Sequence, residues 1–120
     1  MKYMLLVYLD EQALSESEYE HCYVESAQLA RELNATGRYL DASPLHPVVT
    51  ATSVRVRDGK RVVTDGPFAE TREQLGGYYL IEANDLDEAI GIAEKIPPAR
   101  FGTIEIRPVM EIGGLPGELK

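Results

Sequence analysis

Two stretches of this chain are apolar on both alternating faces, and that feature narrows the fold more than any other. In Lys2–Leu9, Tyr3, Leu5 and Val7 point one way while Met4, Leu6 and Tyr8 point the other. In Tyr78–Ala83, Tyr78 and Leu80 oppose Tyr79, Ile81 and Ala83 in the same manner. A strand with one wet face alternates apolar and polar residues, so these two are expected inside a sheet that is covered on both sides.

The candidate covers are two helices. Ser15-Glu16-Ser17-Glu18 reads as a capping box, and the helix it opens is expected to run to about Ala35 and stop at Gly37. At 100° per residue, Tyr19, Tyr23, Ser26, Ala30 and Leu33 form its apolar stripe, with Cys22 and Leu29 at the edge. Asp85-Leu86-Asp87-Glu88 reads as a second capping box, and Pro97-Pro98 ends the helix that follows. Between the helices, Arg38–Leu45 predicts a strand. Ser53–Arg57 and Lys60–Thr64 flank Asp58-Gly59, a strong hairpin signal, with Val54 and Val56 expected to face inward. Thr103–Val109 predicts the last strand, and 113–120 a tail. The order β-α-β-(hairpin)-β-α-β predicts an α+β, ferredoxin-like sandwich with an extra hairpin, filling a single domain over residues 1–112. Two helices cover only one sheet face. The other is expected to meet the same face of a second copy, giving a homodimer with a dimeric α+β barrel.

Charge and composition exclude several functions. The 120 residues carry 12 Lys plus Arg against 20 Asp plus Glu, a formal net charge of −8, which disfavours direct nucleic-acid binding. A lone cysteine, Cys22, leaves no internal disulfide and no cysteine zinc site. His21 and His46 lack paired-ligand spacing, so no metal is expected, and no glycine-rich phosphate loop points to a cofactor. The longest apolar run, Met4–Leu9, is far too short to span a membrane. The start of the chain reads as a strand and not as a signal peptide, so the expected location is cytoplasmic.

The candidate site centres on Asp65-Gly66-Pro67-Phe68. Pro67 fixes its own φ and favours extended backbone at Gly66, while Phe68 is expected to anchor the loop by burying its ring. On such a turn the Asp65 carboxylate either serves as a catalytic general base or closes an Asx turn. Arg72, between Glu70 and Glu73, either supplies a cation for substrate binding or belongs to a solvated charged loop. Tyr78 and Tyr79 alternate across a central strand, so one is expected in the core and the other either packs in an interface or reaches a cleft with its hydroxyl to bind substrate. Arg55, Arg57, Lys60 and Arg61 give the hairpin a basic, solvated edge. Residues 10–32 hold seven acidic groups and one arginine, a solvated helix face or a docking surface for a basic partner.

The run Asp65-Gly66-Pro67-Phe68-Ala69-Glu70-Thr71-Arg72-Glu73-Gln74-Leu75-Gly76-Gly77-Tyr78-Tyr79-Leu80-Ile81-Glu82-Ala83 resembles the signature of the DGPF-type subgroup of the YCII-related domain family. The Met-Lys-Tyr-Met-Leu-Leu start, the Asp85-to-Ala93 helix and the Glu105-Ile106-Arg107-Pro108-Val109 ending are similar to the same family. The resemblance implies a dimeric α+β barrel and, for part of the family, a link to sigma-70-type transcription initiation factors. Other relatives carry a histidine and aspartate pair that looks enzymatic. Those positions fall near Ser26 and Ile96 in this chain, so the pair's chemistry does not carry over. Two functions are therefore expected in competition. One is a regulatory or interaction domain with a sigma factor or another protein partner. The alternative is a lyase- or isomerase-type enzyme acting on a small-molecule ligand in an Asp65-centred cleft.

Overall fold

The computed structural model describes residues 1–117; residues 118–120 of the expected tail lie outside the described residues. The first strand, β1, spans Lys2–Leu9 and alternates strictly in burial, with Tyr3, Leu5, Val7 and Leu9 buried and Met4, Leu6 and Tyr8 half-buried. Helix α1 (Glu16–Ala35) opens on the expected box. Ser15 Oγ accepts from Glu18 N–H, and Glu18 Oε1 accepts from Ser15 N–H at 2.9 Å. It closes where Gly37 takes φ = +75° and Arg38 N–H returns to the Leu33 carbonyl at 2.8 Å.

Strand β2 (Tyr39–Pro44) follows, then a 3-10 turn at Val48–Thr50 and the strands β3 (Thr52–Arg57) and β4 (Lys60–Asp65). Strand β5 (Gln74–Glu82), helix α2 (Leu86–Ala93), a second 3-10 turn (Pro97–Arg100) and β6 (Thr103–Pro108) complete the chain. The main sheet is antiparallel in the order β2-β5-β1-β6. Its inner face joins Leu29 and Leu33 of α1 and Ala89, Ile92 and Ala93 of α2 in one core, so both helices cover the same side. The observed α+β element order is that predicted from the patterning.

Several local expectations are corrected. Strand β5 begins at Gln74, four residues before the apolar run, because Gln74, Leu75 and Gly77 pair with Leu9, Tyr8 and Val7. Two adjacent glycines carry no strand signal, which hid this extension. At Gly77 a side chain would sit 2.9 Å from the Ser43 carbonyl oxygen, so glycine permits the close approach of β2. The α2 box is incomplete in its return leg. Asp85 Oδ1 accepts from Glu88 N–H, but Glu88 Oε1 accepts from Asn84 N–H at 2.8 Å and Oε2 takes Arg38 at 2.9 Å. Gly66 takes φ = +99° instead of extended backbone.

The hairpin differs most. Strands β3 and β4 pair only with each other, as a separate two-stranded sheet. Val54 and Val56 therefore face no core within their own chain, and the inward assignment fails for the single copy. The arm leaves the molecule broad and thin, at 47 × 43 × 20 Å. No helix among the described residues is long and apolar enough to cross a membrane.

Candidate functional site

A half-open cavity of about 750 Å³ lies between α1 and the β2–β5–β1 part of the sheet. Its origin is legible in residue size. The α1 wall presents Ser26, Ala27 and Ala30, and the sheet opposite presents Ala42, Gly76 and Gly77. A helix resting on a sheet through large side chains fills the gap between them; small residues on both walls leave it open. Tyrosines then set the rim.

Tyr79 is buried and donates from its hydroxyl to the Ser26 carbonyl at 3.0 Å, tying β5 to α1 across the cavity. Tyr19 donates to the Glu11 carbonyl oxygen at 2.7 Å and lies 6.2 Å from Tyr23, ring centre to ring centre. The Glu11 carboxylate reaches the Val48 amide at 3.0 Å, so the turn after β2 is clasped over one end of the cavity. Arg31 borders the cavity, with no ion pair among the described residues. Burial pushes the Tyr79 phenol up, and it pushes Tyr19 up together with the negative field of Glu11. Cys22 also borders the cavity, and its thiol is raised by burial and by the charge of Glu25. The site therefore holds neutral hydroxyl and thiol groups in an apolar slot, with one carboxylate and one guanidinium at its margin.

The residues singled out from the sequence are dispersed. Tyr79 enters the cavity through its ring. Tyr78 borders it from the strand, while its hydroxyl donates to Asp41 Oδ2 at 2.8 Å, the contact that chiefly raises this phenol. Asp65 ends β4 on the arm, opposite Thr52, and its carboxylate is exposed and outside the cavity. The loop beyond it is held through backbone: Gly66 N–H donates to Ala51 O, and Ser53 Oγ donates to Gly66 O, both at 2.7 Å. No hydrogen bond among the described residues engages the Asp65 side chain. Phe68 is 79% exposed and does not anchor the loop within its own chain. Arg72 is also exposed and only approaches Asp10, at 3.8 Å.

Ser26 and Ile96, the positions at which the family resemblance places a histidine and an aspartate, both border the cavity. His21 points outward and pairs with Glu25 at 3.2 Å. Sequence reasoning missed Glu11, Tyr19 and Arg31 as rim residues. Tyr19 lay on the predicted inner stripe, but the other two are charged side chains in charged surroundings, with no local sign that a cavity adjoins them.

Comparison with known proteins gives three findings. The family model of the YCII-related domain matches residues 1–113. An uncharacterized protein of Rhizobium meliloti (strain 1021) is 39% identical, over 99% of this chain and 98% of that protein. Among solved structures, 5-chloro-2-hydroxyhydroquinone dehydrochlorinase from Burkholderia phenoliruptrix AC1100, in complex with 2,5-dihydroxybenzoquinone, superposes with a TM-score of 0.55. That match covers 92% of this chain and 95% of the other at 12% identity, a likeness of fold.

Proposed function

The chain belongs to the YCII-related family, and from that premise we propose that its helix–sheet cavity binds a small, flat, hydroxylated ring compound. The carrying observation is the cavity of about 750 Å³, walled by small apolar residues and rimmed by tyrosines. Such a volume suits a small-molecule ligand. Aromatic rims favour planar rings; the Tyr19 and Tyr79 hydroxyl oxygens, their protons held by the Glu11 and Ser26 carbonyls, can accept from ring hydroxyls, and the Arg31 guanidinium can donate to an anionic ring oxygen. The fold neighbour's complex with 2,5-dihydroxybenzoquinone is in keeping with this ligand class.

The function that follows is a ligand-responsive regulatory domain. Helix α1 forms one wall of the cavity and carries Glu16, Glu20 and Glu32 on exposed positions, so ligand and a basic protein partner would meet on the same element. A transcription factor of the sigma-70 type is the partner class implied by the family resemblance. The enzymatic alternative draws on the neutral hydroxyls beside Glu11, and its centre would lie there and not at Asp65. Two copies are further proposed to pack through the open sheet face, where Met4, Leu6, Tyr8 and Leu80 are half-buried in the single chain.

Calorimetric titration with 2,5-dihydroxybenzoquinone, catechol and 4-hydroxybenzoate tests the reading. Binding by one or more is expected, weakened at least tenfold by Ala30→Trp, which fills the slot. Arg31→Ala is expected to weaken anionic probes and spare catechol. No binding at millimolar probe, or wild-type affinity in Ala30→Trp, overturns it. A bound probe that keeps its absorbance spectrum for hours supports the regulatory function, and its conversion supports the enzymatic one.

A further inference from the structure

The β3–β4 arm has a side that its own chain leaves bare. Residues directly paired in an antiparallel ladder share a face. Val54 opposite Val63 and Val56 opposite Arg61 therefore make one side, while Arg55 opposite Val62 and Arg57 opposite Lys60 make the other. Val54, Val56 and Val63 are 62%, 64% and 53% exposed. A two-stranded hairpin alone is barely stable in water and gains order by packing an apolar face. Here the arm stands away from the main sheet, and the radius of gyration is 16.2 Å, against roughly 14 Å for a compact chain of this length.

Two observations identify the cover. The first is charge: four of the 12 basic residues (Arg55, Arg57, Lys60 and Arg61) lie on this arm of a chain with net charge −8, so the remaining surface is more acidic than the whole. Arg61 lies on the valine side itself, where it would meet an acidic body, while Arg55, Arg57 and Lys60 lie on the other side, which suits solvent. The second is that the main sheet also exposes an apolar face, built from Met4, Leu6 and Leu80. One chain thus carries two uncovered apolar surfaces that its own geometry keeps apart.

We infer that the Val54–Val56–Val63 side of each arm seats on a second copy of this chain, reciprocally, beside the paired sheet faces. This rests on the two-copy reading above and adds to it an exchanged arm. The occupant is the surface of a second copy beside its aliphatic sheet face, met by the three valines, with Arg61 supplying the charge that faces its acidic groups.

The test is thiol protection in a Cys22→Ser background. Single cysteines are placed by Val54→Cys on the apolar side and Arg55→Cys on the basic side, and maleimide labelling is followed against protein concentration, with light scattering giving the mass. At dimer concentrations Val54→Cys is expected to label at least tenfold more slowly than Arg55→Cys, with the difference vanishing as dilution yields monomer. Equal labelling in a proven dimer overturns the exchanged arm and leaves the dimer standing. A monomer at every concentration overturns both. Protection that persists where light scattering shows a monomer, or that requires added duplex DNA, assigns the cover to the arm's own chain or to nucleic acid and overturns the inference.

Discussion

Burial sets the ionisation of the groups behind the cavity, and this gives the fold a pH limit of known sign. The Cys22 thiol and the Tyr79 phenol are both raised, each chiefly by desolvation. The folded chain therefore favours their neutral forms, whereas the unfolded chain ionises them near about 8.5 and 10. Their contribution to stability is fully present below those unfolded values and is lost as pH rises through the higher folded ones. The urea midpoint is expected to hold level from about pH 7 to 8 and to fall above about pH 9, less steeply at first in Cys22→Ala; a midpoint that climbs over that range contradicts this. At this scale the sequence was informative where partners are close along the chain. Ser15 and Glu18 are three residues apart and their mutual bonds were readable. The Tyr79–Ser26 bond links residues 53 apart, and no local pattern encodes it. Asp65 drew attention through its stiff Asp-Gly-Pro context, but a stiff turn does not specify which body it faces.

Among the elements, α1 has the most to lose from a single change, because it is both a core layer and one wall of the cavity. Only Cys22, Leu29 and Leu33 on its 20 residues are buried, a narrow stripe that leaves a large share of its order to its ends. Ser15→Ala removes the acceptor for Glu18 N–H and is expected to cost about 1 kcal/mol, read as a lower urea midpoint at unchanged slope. Probe affinity should also fall, since fraying moves Tyr19; stability equal to wild type would mean that the box is idle. Strands and helices were legible because burial imposes periods of 2 and 3.6 on sequence. The β3–β4 hairpin was legible for another reason: Asp58 and Gly59 take φ of +52° and +73°, the conformation that an Asp-Gly pair favours in tight turns. Its amphipathic character was also correctly read, Val54 and Val56 on one side and Arg55 and Arg57 on the other. The valine side does not face inward, because alternation reports that a face is buried against something and does not say that the something belongs to the same chain.

The same ambiguity governs the whole molecule, where it becomes an argument for association. On β1 and β5 the inner residues are almost wholly buried while Met4, Leu6 and Leu80 on the outer face are only partly buried. Directly opposed pairs, Met4 with Leu80 and Leu6 with Tyr78, make that outer face a continuous apolar strip at the sheet centre. Polar groups gather toward its margins, with Asp41 of β2 holding the Tyr78 hydroxyl and Arg107 of β6 close to Glu105 at 3.7 Å. An apolar centre with a polar rim is the anatomy of a protein interface, and in the proposed two-fold dimer the strip would be its own partner. Light scattering is expected to give twice the 13.3 kDa chain mass at micromolar concentration. In that proposed dimer Leu6→Asp would place two charges near each other in a dry centre, where each is costly to bury and they repel. That variant is expected to run at the single-chain mass with its far-ultraviolet circular dichroism unchanged, because position 6 faces away from the helices. A Leu6→Asp protein that still scatters as a dimer places the contact elsewhere, and a wild-type monomer at these concentrations removes it.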